Sequence, residues 1–141
     1  MVYKRTIQLY IFEREGGHCY HCGKLLKPGK MTLDHYYPRS LGGTEEYYNL
    51  VASCKLCNKF KKSVVPKDWV EVNIELLLRA IADEKVVFDQ SLKHEKEFIV
   101  SLLPNVRTIE HSKSGTKFEG RGFRVLIKDN RVVKLVRYGE V

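Results

Sequence analysis

The chain has 141 residues, a length that fits one compact domain or a small metal-stabilised core with an appendage. Hydrophobic residues make up 43% of the chain, which favours a folded protein over a disordered one. The net charge of +8 indicates either a polyanionic partner or, equally, a solvated basic surface. Because no apolar run is long enough to cross a bilayer and no secretion signal opens the chain, we expect a soluble cytoplasmic protein without a membrane partner.

Periodicity and turn-forming residues predict short elements around a long loop in the first half of the chain. In chain order we expect a helix over Thr6–Arg14 that ends at Gly16-Gly17, turns at Cys19–Cys22 and Pro28-Gly29, a strand at Met31–Leu33, a loop over Arg39–Tyr48, an apolar segment from Asn49 to Cys54 and a helix from Cys57 onward. The Gly42-Gly43 pair lies in the middle of that loop.

The pattern of the second half predicts two helices and a hairpin. We expect one helix opened by Pro66, a second over about Ser91–Leu103 that Pro104 ends, a mobile segment over Ser112–Gly122, and strands Phe123–Lys128 and Arg131–Arg137 joined at Asp129-Asn130. The first helix has one apolar face, formed by Trp69, Val72, Leu76 and Ala80 with the neighbouring Asn73, Leu77 and Ile81. We expect that face to pack in the core. Lys134 interrupts the alternation of the last strand, so the register of the hairpin is left open.

These elements predict an α+β protein of three segments. Residues 1–65 would form a compact core, residues 66–103 a helical segment and residues 104–141 a basic β-hairpin extension. Charge is unevenly placed, since Lys and Arg outnumber Asp and Glu by 11 to 5 in residues 1–62 and by 9 to 4 in residues 104–141. The stretch 63–103 is acidic. A polyanion would therefore meet the two ends of the chain rather than its middle.

Four cysteines form two Cys-x-x-Cys pairs, Cys19 with Cys22 and Cys54 with Cys57. Two intervening residues allow both sulfurs of a pair to face one ion at about 2.3 Å, the geometry of tetrahedral zinc. Four thiolates complete that coordination shell, so the predicted zinc is structural and has no open position for chemistry. Two disulfides or free buried thiols are the alternative, which the reducing cytoplasm disfavours.

The 31 residues between the two pairs exceed the gap of a compact zinc finger, so they must hold structure of their own. Asp34 and His35 lie in this segment. His18 and His21 lie beside the first pair, and either one is an alternative zinc ligand in place of a cysteine.

The residues between and just after the cysteine pairs resemble the HNH endonuclease family. The resemblance covers about residues 14–62 and rests on the Asp34-His35 dipeptide, the Gly42-Gly43 loop, Asn49, Asn58 and the two bracketing cysteine pairs. The family fold is a ββα-metal, treble-clef-like hairpin and helix, held here by the zinc. The resemblance therefore implies a zinc-stabilised ββα core, followed by helices and a C-terminal hairpin, in a metal-dependent endonuclease that hydrolyses DNA.

The resemblance also implies a role for each polar residue of the motif. His35 resembles the first letter of the motif, the general base, and Asn49 resembles the second, which holds the loop and the base in place. Asn58 is similar to the third letter, and together with Asp34 it would supply oxygen ligands to one divalent ion, Mg²⁺ or Mn²⁺.

The chemistry of these side chains agrees with those roles. A neutral imidazole can take a proton from water, and a carboxylate with an amide oxygen suits a hard cation that stabilises the phosphate and the departing oxygen. Since adjacent residues of an extended strand point to opposite faces, we expect a bend or loop at Asp34-His35. Each residue also has a plainer interpretation: a solvated turn for Asp34-His35, a turn residue for Asn49 and a helix cap for Asn58.

Five basic residues are candidate phosphate contacts. They are Arg39 in the motif loop and Lys55, Lys59, Lys61 and Lys62 around the start of the helix after the second cysteine pair. A solvated basic helix face is the alternative for the lysines. We expect duplex DNA as the partner, and the sequence leaves the oligomeric state open, a homodimer included.

Two other classes of function were weighed against the nuclease. A zinc-stabilised nucleic-acid-binding module without catalysis would explain the cysteines and the charge, but it has no need of Asp34, His35 and Asn58 together. A zinc deaminase requires a His-x-Glu element and an open zinc position, and the sequence predicts neither. The basic hairpin with its Gly120-Arg121-Gly122 approach is a candidate DNA-binding arm, a dimerisation element or a contact for another protein.

Overall fold

The computed structural model describes residues 2–61 and 63–138, and the chain divides into two units. The first unit contains the residues up to Glu45 together with Asn49–Pro66, and the second contains Glu46–Tyr48 and the residues from Lys67 on. The short segment Glu46–Tyr48 therefore groups with the second unit, although its chain neighbours on both sides belong to the first. No helix within the described ranges is long and apolar enough to span a bilayer.

The first unit is built from two helices and one antiparallel hairpin. Its elements are α1 Val2–Arg14, β1 Thr32–His35, β2 Leu50–Ser53 and α2 Lys55–Lys61. β1 and β2 pair along their whole length, and α2 follows β2 directly and lies against β1. This ββα order confirms the fold that the resemblance implied. The predicted strand is longer than expected, because the ladder with β2 continues through Asp34 and His35.

Helix α1 covers the hairpin on its β2 side. It contacts β2, all four residues of which are buried, and it buries Ile7 and Ile11, which lie one turn apart on the same helix face. The Arg14 guanidinium donates a hydrogen bond to the Leu50 carbonyl at 2.6 Å. The helix ends as predicted at Gly16-Gly17, where both φ angles are positive and suit glycine.

The second unit is a five-stranded sheet with two helices. Its elements are α3 Trp69–Ala82, β3 Val87–Phe88, α4 Lys96–Leu102, β4 Val106–Glu110, β5 Thr116–Gly120, β6 Phe123–Lys128 and β7 Arg131–Arg137. The strand order is β3-β7-β6-β5-β4, with β3 parallel to β7 and the other neighbours antiparallel. The expected apolar face of α3 is confirmed, since Val72, Asn73, Leu76, Leu77, Ala80 and Ile81 are buried.

The predicted hairpin is confirmed at both strands and at its turn. Asp129 and Asn130 both have positive φ, 51° and 57°, as a two-residue turn of the type favoured in hairpins requires. A bulge between Leu126 and Ile127 shifts the register, so that Leu126 pairs with Lys134 while Ile127 pairs with Val132. The bulge explains why Lys134 interrupts the alternation of apolar and polar residues. One extra residue in a strand reverses the face of the sheet to which the following side chains point.

Two expectations for the second unit were wrong. The segment Ser112–Gly122, expected to be mobile, contains strand β5, and Ser112 and Gly115 exchange backbone hydrogen bonds of 3.2 Å that close the turn before it. The helix expected from Ser91 begins as a 3-10 turn, Gln90–Glu95, and becomes α-helical only at Lys96. The glycine and serine content of the first segment concealed its alternating residues.

Candidate active site and zinc centre

The four cysteines meet in one cluster. Their Sγ atoms all lie within 4.8 Å of one another, and none of the four is in a disulfide. The Sγ atoms of Cys22 and Cys54 are 4.0 Å apart, close to the roughly 3.8 Å that separates two ligands of a tetrahedral zinc with 2.3 Å bonds. The turn before β1 supplies Cys19 and Cys22, and the junction of β2 with α2 supplies the other pair.

The surroundings favour the thiolate at Cys19 and the thiol at Cys57. Burial raises the pKa of the Cys19 thiol, but the backbone N–H groups of Cys22, Cys54 and His21 outweigh it and lower the pKa to about 6. The hydrogen bond that the Cys57 thiol donates to the Cys54 sulfur, together with burial, raises the pKa of Cys57 to about 12. A divalent cation at the centre of the cluster would lower the pKa of all four thiols, because its positive charge stabilises the thiolate form of each. The prediction that these cysteines form one site able to bind zinc is confirmed.

Asp34 is buried in β1, and only 4% of it is exposed. Its Oδ2 accepts a hydrogen bond from His21 Nε2 at 2.7 Å, and its Oδ1 lies 3.4 Å from Lys61 Nζ. The His21 ring stacks on Tyr36, with ring centroids 6.1 Å apart and an angle of 6° between the planes. His21 is therefore a partner of Asp34, and the cluster of possible zinc ligands consists of the four cysteines.

Lys61 has an internal role in this site. Its side chain is 8% exposed, and its ammonium donates a hydrogen bond to the His35 backbone carbonyl at 2.8 Å. The same group thus contacts Asp34 and the backbone of the next residue. A contact between Lys61 and a DNA phosphate stays a prediction, and little of the Lys61 side chain is accessible for it.

His35 is the last residue of β1, and its imidazole is 18% exposed. Nε2 is enclosed and has no hydrogen-bond partner among the residues that the structure describes, but it lies 3.6 Å from Glu45 Oε1. Burial lowers the pKa of His35, with Glu45 opposing this effect and Arg39 adding to it. The lowered pKa favours the neutral imidazole, the form that can accept a proton from water.

The bend expected between Asp34 and His35 is absent. Asp34 pairs with Val51 and His35 with Leu50 in one unbroken ladder, and the chain bends only at residues 36–37. Adjacent strand residues point to opposite faces, which explains why Asp34 meets His21 and Lys61 while His35 meets Glu45.

Asn49 closes the loop that follows His35. It is fully buried, and its Oδ1 accepts from the Tyr37 N–H at 2.8 Å. Its Nδ2 donates to the carbonyls of Tyr37, at 3.1 Å, and of Thr44, at 3.0 Å. One side chain thereby holds both ends of residues 37–44, a geometry that suits the role expected of it.

The Gly42-Gly43 pair is required by the path of the same loop. Gly42 has a φ of 102°, a conformation that favours glycine. A Cβ added to Gly43 would lie 1.8 Å from the Tyr37 carbonyl oxygen and 2.9 Å from that of Pro38. The loop is therefore folded onto its own backbone at a distance that only glycine permits.

Three other predicted site residues lie on α2, and Arg39 lies in the loop after β1. Asn58 is half-buried in that helix, while Arg39, Lys55 and Lys59 are exposed. Lys62 lies outside the described residues. The exposed basic residues are placed where phosphate contact is possible, and that role stays a prediction.

Three residues of the site were not predicted in the roles they have: His21, Glu45 and Lys61. His21 is 13 residues from Asp34, and Lys61 is 26 residues from His35, so no local pattern connects them. Glu45 is separated from His35 by the loop. The fold alone brings each pair together.

Comparison with known proteins finds similarity over part of the chain. Residues 19–71 match the HNH endonuclease family. The type II-C Cas9 enzyme from Actinomyces naeslundii is similar over 50% of this chain and 9% of the Cas9 chain, with 27% identity and a TM-score of 0.41. The matched region thus spans under a tenth of that enzyme's length. No curated protein matches the chain. The segment that matches this family model holds both the cysteine cluster and the polar site.

Proposed function

We propose that this protein is a metal-dependent endonuclease that hydrolyses DNA phosphodiester bonds, with His35 as general base. The observation that carries the proposal is the placement of Asp34 and His35 on β1, beside the helix that carries Asn58, in a segment that matches the HNH endonuclease family. The net charge of +8 favours a nucleic acid partner. Duplex DNA is the substrate we propose.

His35 has the environment of an oriented base. Glu45 Oε1 lies near Nε2, so the carboxylate favours the tautomer with its proton on Nε2 and leaves the lone pair on Nδ1. We propose that Nδ1 takes the proton from the attacking water. Nε2 is enclosed, so it does not belong to the part of the ring that water can reach. A base held by a second group is the usual arrangement for proton transfer from water.

Asp34 and Asn58 are the residues we propose to hold a divalent ion. An ionised carboxylate accepts about four hydrogen bonds, so the contacts of Asp34 with His21 and Lys61 leave capacity for a cation. A carboxylate with an amide oxygen is a donor set that suits Mg²⁺ or Mn²⁺. When bound, such an ion supplies charge stabilisation at the scissile phosphate and its leaving oxygen. His21 and Lys61 orient Asp34 for that task.

Nicking of supercoiled plasmid DNA by zinc-loaded protein tests the proposal, with and without added Mg²⁺ or Mn²⁺. We expect cleavage only with the added ion, and a loss of at least about hundredfold in His35→Ala, as for removal of a general base. The control is His94→Ala, which removes an exposed histidine of the second unit and should cut as the wild type does. Wild-type protein that binds DNA without nicking it would instead support the non-catalytic binding module.

A further inference from the structure

Three residues in the middle of the segment that matches the HNH endonuclease family are held by the second unit. Glu46–Tyr48 is flanked by Glu45, the neighbour of the His35 imidazole, and by Asn49, which closes the loop. Both flanking residues group with the first unit, whereas Glu46–Tyr48 groups with the five-stranded sheet. We call Glu46–Tyr48 the strap. Chain continuity means that fixing the strap also restricts the residues on its two sides.

Buried polar contacts fix the strap. The Tyr48 hydroxyl lies 2.7 Å from Glu46 Oε2 and 2.6 Å from Thr116 Oγ1 of β5. Glu46 Oε1 accepts from the Asn130 N–H at 2.8 Å, and Asn130 Oδ1 accepts from the Tyr47 N–H at 3.0 Å. The Tyr48 ring also packs edge-on against Phe118, with centroids 5.3 Å apart. Three hydrogen bonds therefore hold the strap to residues outside it, and a fourth joins two of its own residues.

The burial of these groups makes the arrangement specific. Tyr48 and Thr116 are fully buried, and Glu46 is 9% exposed. A buried polar group without its partner costs free energy, so any displacement of the strap that breaks one contact is unfavourable. A satisfied buried network thus selects a single position for the segment, where an exposed loop would sample many.

We propose that Glu46, Tyr48 and Thr116 are positioning residues of the HNH site. By fixing the strap, they hold Glu45 beside His35 and hold Asn49 in its hydrogen bonds with Tyr37 and Thr44. None of these three side chains touches the reacting atoms, so each acts on catalysis only through its neighbours in the chain. The effect on catalysis rests on the proposed nuclease function, whereas the effect on the loop does not.

Two measurements on the full chain test the inference. NMR hydrogen exchange at the Tyr37 amide, which donates to Asn49, reports whether the loop is held, and plasmid cleavage gives kcat and KM. The disruptive variants are Tyr48→Phe, which removes only the hydroxyl, and Glu46→Ala. The conservative variant is Glu46→Gln, whose amide can keep both contacts. The matched control is Ile99→Ala, a cavity in the core at α4, outside the hydrogen bonds and ring contacts of the strap.

We expect Tyr48→Phe and Glu46→Ala to speed exchange at Tyr37 at least about tenfold and to lower kcat between about tenfold and hundredfold, with KM for DNA nearly unchanged. Glu46→Gln should lose much less, and Ile99→Ala should lower Tm without either effect. Unchanged exchange at Tyr37 in both disruptive variants, or an equal change in Ile99→Ala, would overturn the inference. If the wild type cuts no DNA, the proposed function fails, and the exchange data still decide whether the strap holds the loop.

Discussion

Replacing Gly43 by alanine tests how closely the catalytic loop must fold onto its own backbone. The added Cβ would lie 1.8 Å from the Tyr37 carbonyl oxygen, whereas real Cβ atoms keep at least 3.0 Å. The loop must therefore move by about 1.2 Å, and it cannot do so by rotating a side chain because the obstacle is backbone. A displacement of about 1 Å near a reacting group can reduce a rate about hundredfold, so we expect a loss of that order.

The assay is single-turnover nicking of plasmid DNA at saturating protein, with zinc content and Tm as measures of folding. Gly29→Ala is the matched control, because a Cβ there would meet nothing within 4 Å and the residue has no positive φ. We expect this control to cut within about twofold of the wild type, as most surface substitutions have small effects. Gly43→Ala protein that retains its zinc and cuts at the wild-type rate would refute the reasoning.

Three further predictions concern the zinc, the second unit and the DNA contacts. Cys54→Ser should lose the bound zinc and much of the thermal stability, as shown by metal analysis and a melting curve, because a structural zinc contributes directly to folding. Burial lowers the pKa of His111 to about 4 from 6.5, so the unfolded chain binds a proton between these values that the folded chain does not. Stability should therefore fall as the pH drops through this window, and urea denaturation should show wild type losing about 2 kcal/mol more than His111→Gln between pH 7 and pH 5. Lys59→Ala should reduce the slope of a log–log salt titration of DNA binding by about one unit, whereas an unchanged slope would assign Lys59 to the solvated surface.

Local sequence patterns predicted the helices, strands and turns that are determined by residues close together in the chain. Helical spacing gave the buried face of α3, and Asp129-Asn130 specified the turn of the last hairpin through the two positive φ angles it needs. Strand β5 was missed because the preceding turn, with its serines and Gly115, concealed the alternation of Thr116 and Phe118. The spacing of the cysteines was enough to predict their cluster, since each pair has only two intervening residues.

The partners within the site could not be predicted from local patterns. Asn49 and His35 were found because their spacing resembles a family motif. Glu45, which faces His35, and His21, which faces Asp34, are not part of that motif. The Tyr48–Thr116 contact joins residues 68 positions apart. These pairings depend on tertiary packing, in which burial rather than sequence distance decides which polar groups must satisfy one another.

The central claim is that Asp34 and Asn58 hold a divalent ion, and Mn²⁺ binding to zinc-loaded protein tests it most directly. Electron paramagnetic resonance should give one Mn²⁺ per wild-type chain. Affinity should fall at least about tenfold in Asp34→Asn and Asn58→Ala, and should be almost unchanged in His35→Ala. Equal Mn²⁺ affinity in the wild type and in Asp34→Asn, with zinc retained in both, would contradict the account.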